Sequence, residues 1–304
     1  MLPTTPPVTN LPTHDVLLNA SSLKLTHCAQ RYHNTVVTGL QNTEQREALV
    51  FGKAVHKYAE MRGNGSDIPA ALIAANAMYS GPNGGLLSNA CAMMPATGLT
   101  PYIEPGGRRY IELKFKVYWQ TIVHAGHQFN IFICGTFDLV TMFSDGAVQI
   151  VDYKTTRKYK MADVFADYMV DVQMAFYPWV AWKFGAEIFD VTVANQTHRG
   201  NVFLRICAVM LAHNPIVWKM GPPIMMGPDK LADFERLLQD HIRDFILPAW
   251  LNPQPTGKLN NTCTRGERAG ALCDYAPICF AENELAAAQA REGFAIVKYD
   301  PAAF

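Results

Sequence analysis

The chain has no surplus of charge of either sign: 26 lysines and arginines are matched by 26 aspartates and glutamates over 304 residues. So even a balance gives no overall field to draw in nucleic acid or an anionic surface, and any such contact needs a local basic patch. No uncharged apolar run reaches the roughly 18 residues that a membrane-crossing helix requires. The opening MLPTTPPVTNLPTHD is proline-rich and has neither the basic start nor the apolar core of a secretory signal. A G-x-x-x-x-G-K-[ST] phosphate loop is missing, so any ATP-driven motor would lie on another chain. No internal repeat occurs. These absences lead us to expect a soluble, intracellular (cytoplasmic) protein with no membrane partner. Cysteine is sparse, with 7 residues. In a reducing compartment structural disulfides are rare, so metal ligation is the better expectation for some of them.

What is present is an ordinary globular balance, 49% apolar and 17% charged. Residues 1–14 read as a flexible leader. A helix follows in NASSLKLTHCAQRYHN, with Ser21 or Ser22 as its cap, and another in TEQREALVFGKAVHKYAEM. Residues 61–107, rich in Gly, Ala, Ser and Asn, read as a mobile insertion or lid with a short helix at 70–78. Alternating runs then predict strands in RRYIELKFKVYW, QFNIFICGTFDLVTMF and AVQIVDYKT. The pattern predicts one long helix over 163–183, kinked at Pro178. Strands are expected in IFDVTVANQ and NVFLRICAVML, and an amphipathic helix in DKLADFERLLQDHIRDFI. A cysteine-rich tail spans 255–280, with a C-terminal extension over 281–304. The order predicts an α/β layered domain over 15–280, a mixed central sheet flanked by helices, with an N-terminal helical cap and a C-terminal cysteine-bearing extension.

The most informative stretch is GTFDLVTMFSDGAVQIVDYKTTRK, at 135–158. Two strand-like runs flank a Ser-Asp-Gly turn. Alternation places Asp152 and Lys154 on one face and Tyr153 on the other. A hairpin brings Asp138 and Asp152 side by side, and two carboxylates that close repel unless a cation lies between them. Mg²⁺ suits such a site, because it takes oxygen ligands and completes its shell with water and phosphate oxygens. Lys154 could then stabilise charge on a scissile phosphate. The alternative is a solvated strand edge with a surface ion pair.

Other candidates are individually ambiguous. His56 and Glu60 share a helical face, and His56 is either a metal ligand or a half-buried helix histidine. Gln173 and Tyr177 are also four apart, either reaching nucleic acid or forming a polar stripe on a buried helix. Glu112 alternates with Lys114 on a strand, and Glu104 lies close by. Basic residues Arg157, Lys158 and Lys160, with Arg108 and Arg109, form either a phosphate-binding patch or solvated loops. Tyr32, Tyr153 and Tyr159 are either stacking platforms for bases or core residues.

Taken in order, Gly52-x-x-x-His56, Glu112, Gly135-x-x-Asp138, Asp152-x-Lys154 and Gln173-x-x-x-Tyr177 resemble the motifs of the RecB-type branch of the PD-(D/E)-x-K nuclease superfamily. That branch includes CRISPR-associated RecB-like exonucleases and many phage exonucleases. The resemblance runs from about Cys28 to Cys279. It implies a restriction-endonuclease-like core and Mg²⁺- or Mn²⁺-dependent exonuclease activity on DNA ends, for recombination or repair. His56, Asp138 and Asp152 would hold metal, Glu112 and Lys154 would join them in catalysis, and Gln173, Tyr177, Arg157 and Lys158 would contact DNA. A helicase or a single-strand annealing recombinase would act in trans. Alternatives are a CRISPR-type trimming nuclease or endonuclease, and a catalytically idle DNA-binding or assembly module.

Cys263, Cys273 and Cys279 follow a C-x9-C-x5-C spacing in a turn-rich tail. Three thiolates do not complete a tetrahedral site, so a fourth ligand is needed. Cys28 is either that ligand or a small buried hydrophobe. Several RecB-type nucleases, AddB among them, place one cysteine before the core and three after it around a 4Fe–4S cluster. The resemblance therefore implies such a cluster on Cys28, Cys263, Cys273 and Cys279, with Zn²⁺ as the alternative. Cys134 and Cys207, inside strand runs, read as core residues.

Overall fold

The computed structural model describes residues 11–26, 28–42, 47–95, 100–158, 160–169, 171–251, 289 and 291–297. The chain enters through β1 (Thr13–Leu18), so the last two residues of the expected leader already lie in the sheet. α1 (Ala20–Lys24) follows, capped by Asn19 rather than by Ser21 or Ser22. Asn19 Oδ1 accepts the Ser22 N–H at 2.7 Å, and Ser22 Oγ accepts the Asn19 N–H at 3.0 Å, a reciprocal capping box. Serine stands at the third helical position, which is why it resembled a cap. α2 (Ala29–Tyr32) and β2 (Leu40–Asn42) come next.

Three helices then pack as a layer: α3 (Glu47–Gly63), α4 (Ile68–Met78) and α5 (Gly84–Ala92). The expected insertion holds the helix foreseen at 70–78, as α4, and a second one, α5. Its small residues serve close packing: Ala71, Ala75, Leu87, Ala90 and Cys91 are fully buried against α3. A long hairpin follows, β3 (Ile111–His124) and β4 (His127–Met142), then β5 (Val148–Thr156).

The predicted single helix over 163–183 is two, α6 (Met161–Met169) and α7 (Gln173–Ile188). Asp171 Oδ1 accepts the Gln173 N–H at 2.9 Å where the second helix begins. Pro178 lies inside α7, whose departure from helical angles comes at Phe184 instead. The expected strand IFDVTVANQ is the end of α7 and α8 (Val191–His198). Its β-branched residues suggested a strand, but Asp190 caps the helix by accepting the Val193 N–H at 2.9 Å. β6 (Val202–Met210), β7 (Val217–Met220), β8 (Ile224–Met225) and α9 (Pro228–His241) follow. α10 (Leu247–Leu251) continues from α9, and β9 (Phe294–Ile296) pairs with β2.

The sheet is mixed. β4 runs antiparallel to β3 and β5 and parallel to β1, while β5 runs parallel to β6, whose other edge carries β7 and β8. β3 accompanies β4 from His127 to Leu139. On the opposite edge β1 covers Gln128–Ile133 and β5 covers Leu139–Met142. Among the described residues, no strand therefore pairs with 134–138 of β4 on that edge. One apolar core lies between the sheet and the helices α1, α2, α7 and α9. A second lies between the sheet and α3–α5.

Candidate active site

The side chains of interest gather where that edge of β4 is open and the two cores meet. Residues two apart on a strand should share a face. Here Leu113 and Phe137 belong to one core, yet Ile111 and Leu139 belong to the other. Both strands therefore change face at the intervening residues, Glu112 and Asp138. Glu112 accommodates the slip with φ of +47°, a left-handed value costly for a residue with a side chain. Gly135 serves the same neighbourhood, since a Cβ there would stand 2.9 Å from the Phe115 ring.

β5 leaves β4 just after Val151. In place of the next ladder bond, Asp138 Oδ2 accepts the Tyr153 backbone N–H at 2.7 Å. Its other oxygen, Oδ1, lies 3.6 Å from His56 Nδ1, and Glu112 Oε1 lies 3.3 Å from the same nitrogen. His56 reaches them from α3, which packs over the sheet through Phe51, Val55 and Tyr58. His56 Nε2 stands 3.3 Å from the Tyr153 carbonyl, which can only accept, so Nε2 carries a proton and Nδ1 is the nitrogen turned to the carboxylates.

Asp152 is 1% exposed. Its Oδ1 accepts from Gln173 Nε2 at 2.8 Å, and its Oδ2 forms an ion pair with Lys154 Nζ at 2.6 Å. The Lys154 ammonium also lies 5.7 Å from the centre of the Tyr168 ring. Tyr153, between them, is buried in the second core, as alternation predicts.

The electrostatics are those of a crowded acidic centre. Burial pushes the Asp138 and Asp152 carboxyls up, partly offset by His56 and Lys154. Burial opposes charge on His56, but Asp138 and Glu112 outweigh it and push the imidazole up to about 9. Burial likewise disfavours the Lys154 ammonium, yet Asp152 and Asp138 raise it above the usual lysine range. Burial, then the charges of Asp152 and Asp138, drives the Tyr177 hydroxyl well up.

One nitrogen of His56 and one oxygen each of Glu112 and Asp138 lie within 4.8 Å of one another. An imidazole beside two carboxylates, with a third carboxylate buried nearby, is a donor set for a hard divalent cation. The groups line a cleft of about 650 Å³. Residues 18–280 match the family model of the PD-(D/E)XK nuclease superfamily.

The chain belongs to the PD-(D/E)XK nuclease superfamily.

The fold agrees with that membership, and the superfamily points to a metal-dependent nuclease. No curated protein matches the chain. Among solved structures, one titled "Crystal structure of SSO0001" aligns at 15% identity, over 81% of this chain and 92% of that one, with a TM-score of 0.29. That likeness is too loose to bear on the site.

Within this PD-(D/E)XK cleft stand His56, Glu112, Asp138, Asp152, Lys154, Gln173 and Tyr177. Glu104, the other acidic candidate, instead accepts from Tyr110 Oη at 3.0 Å. Gln173 is buried and its amide is spent on Asp152. Arg157 is exposed outside the cleft lining. Lys158 pairs with Asp167 and donates to the Asp163 carbonyl at 2.9 Å. Arg109 donates to the Gly63 carbonyl at 2.7 Å. Tyr32 and Tyr153 are core residues, and Tyr159 lies outside the described residues.

The basic residues that do line the cleft are Lys24, Lys53, Lys57, Lys114 and Lys154. Sequence reading passed over most of them. A signal existed: Lys53 and Lys57 flank His56 on α3, and Lys114 stands two residues beyond Glu112. Cys28 is buried at the start of α2, whereas Cys263, Cys273 and Cys279 lie outside the described residues. Cys91, Cys134 and Cys207 are core residues. No described helix is long and apolar enough to cross a membrane.

Proposed function

We propose that this chain is a RecB-type DNA exonuclease that hydrolyses phosphodiester bonds at DNA ends. The supporting observation is the convergence of His56, Glu112 and Asp138 beside the Asp152–Lys154 pair. His56 Nδ1, Glu112, Asp138 and, once its ion pair with Lys154 relaxes, Asp152 would hold Mg²⁺ or Mn²⁺. When bound, such an ion supplies Lewis-acid stabilisation of the phosphate and a more acidic water. The Tyr153 carbonyl keeps His56 Nε2 protonated and so keeps Nδ1 directed at the ligand cluster. Lys154, held charged by Asp152 and Asp138, would place its ammonium against the developing charge on the scissile phosphate. Gln173 fixes Asp152, and the Tyr177 hydroxyl at the cleft wall would meet the sugar–phosphate strand, whose phosphates Lys53 and Lys114 would attract.

A 4Fe–4S cluster on Cys28, Cys263, Cys273 and Cys279 is part of this reading, resting on the resemblance of their order and spacing. It would tie the N-terminal helices to the tail. Because the chain has no phosphate loop, a helicase or annealing recombinase would supply its substrate ends in recombination or repair.

The test is degradation of linear DNA, single- and double-stranded and labelled at either end, against closed circles, with Mg²⁺, Mn²⁺ or EDTA. Metal-dependent loss of linear DNA alone, abolished by Asp152→Ala, is the expected result. Cutting of circles would replace exonuclease by endonuclease. No cutting of any DNA with either metal would overturn the reading in favour of an idle binding module.

A further inference from the structure

α1 begins directly where β1 ends, at the open edge of β4, and brings Lys24 into the cleft wall. Lys24 Nζ lies 2.7 Å from Asp171 Oδ2 and donates to Gln173 Oε1 at 3.2 Å. Asp171 in turn accepts the Gln173 N–H at the start of α7. Gln173 is 7% exposed, and its Nε2 donates to Asp152 Oδ1 at 2.8 Å. A carboxamide can be turned end for end with little change in shape. An ammonium only donates and a carboxylate only accepts. Turning the Gln173 amide over would set oxygen against the Asp152 carboxylate and N–H₂ against the Lys24 ammonium, unfavourable at both ends.

We infer that Lys24 is a positioning residue for the metal site. Together with Asp152 it sets the sense of the Gln173 amide, which holds Asp152 Oδ1 while Lys154 pairs with Oδ2. Asp171 anchors Lys24 and the first turn of α7 together, so the relay is tied to the start of the helix that presents Gln173. The inference rests on the metal-nuclease reading for its consequence, though not for its geometry. Without Lys24 the turned-over amide is opposed only at its Asp152 end, so it is visited more often and Asp152 lacks its donor for more of the time.

The test uses the full chain and starts without metal. The Gln173 side-chain N–H₂ signal, identified by its loss in Gln173→Met, is followed for hydrogen exchange by NMR. Lys24→Met should speed that exchange about tenfold, the loss expected for a hydrogen bond to a charged group. Lys24→Arg, which keeps a donor for Oε1, should restore it. By titration calorimetry Lys24→Met should weaken Mn²⁺ binding by about tenfold, the usual scale for a residue supporting a ligand. In a Gln173→Met background the same change should add nothing. Asp171→Asn, which keeps an acceptor for the Gln173 N–H but removes the charge, should act in the same direction and more weakly, and serves if Lys24→Met does not fold. Unchanged amide exchange in both variants, or a Lys24→Met effect that persists without Gln173, would overturn the relay. If the wild-type chain binds no Mn²⁺ and cuts no DNA, the nuclease reading fails, while the metal-free exchange still judges the relay.

Discussion

Asp138 Oδ2 takes the Tyr153 backbone N–H at 2.7 Å, where a neighbouring strand's carbonyl would ordinarily stand. One carboxylate thus has two duties, closing the β4–β5 split with one oxygen and facing His56 with the other. The two are separable. Asp138→Asn keeps an acceptor for the N–H and should leave thermal stability near wild type while abolishing metal-dependent cleavage. Asp138→Ala leaves that N–H unpaired in a buried place and should cost about 1–3 kcal/mol as well. Denaturant melts of the two variants check this, and equal stabilities would refute it.

A second prediction concerns pH. His56 is pushed from its ordinary 6.5 up to about 9 by Asp138 and Glu112 against the cost of burial. A group whose pKa is raised on folding contributes stability that is full below the unfolded value and lost as pH climbs through the folded one. The metal-free protein should therefore lose stability between pH 6.5 and 9. A metal needs the neutral imidazole, so Mn²⁺ binding near pH 7.5 should release protons and tighten as pH rises toward 9. Calorimetry in buffers of differing ionisation enthalpy measures the release, and His56→Gln should reduce it.

Glu112 offers a third. Its φ of +47° suits glycine far better than glutamate. Glu112→Gly should leave stability unchanged or raise it by up to about 1 kcal/mol, since backbone strain is relieved, while Mn²⁺ affinity drops. A variant less stable than Glu112→Ala would contradict this account.

Lys154 supplies the fourth. Lys154→Met removes the ammonium beside Asp152 Oδ2 and should lower cleavage by about 10²–10³-fold, the scale of one charge-stabilising donor. Metal binding should survive, because Asp152 Oδ2 is then free to serve as a ligand. Loss of both together would reassign Lys154 to holding the site's structure.

On the proposed cluster reading, the cysteines divide into two chemical populations. Burial pushes the Cys91 and Cys207 thiols up to about 12, so neither should react with alkylating reagents in the folded protein. Anaerobically purified protein should be brown and carry iron and sulfide, both lost on Cys28→Ala. A colourless sample with one zinc would replace the cluster.

Strand alternation and helical spacing, which are local rules, gave the relative placing of neighbouring residues, and the resemblance of the ordered motifs gathered those residues into one site. Asp152-x-Lys154 predicts its own geometry, and Gly135-x-x-Asp138 marks a close approach followed by an acid. What local rules could not give was the face change at Glu112 and Asp138, since it depends on two cores meeting across the sheet. Lys24 was equally opaque, its meaning resting on Gln173, 149 residues away. The misread strand at 188–196 failed for another reason: its valines and threonine favour β structure, and the Asp190 cap overrode them. The Gly/Ala-rich insertion misled because small residues are compatible both with loose chain and with close helix packing.

β1 quits β4 at Ile133, and β5 keeps company with it only from Leu139 onward. Among the described residues the aperture between them is set by where two strands stop. Turns elsewhere could lengthen or be exchanged without disturbing it. Were β1 and β5 extended until they met along β4, that gap would close.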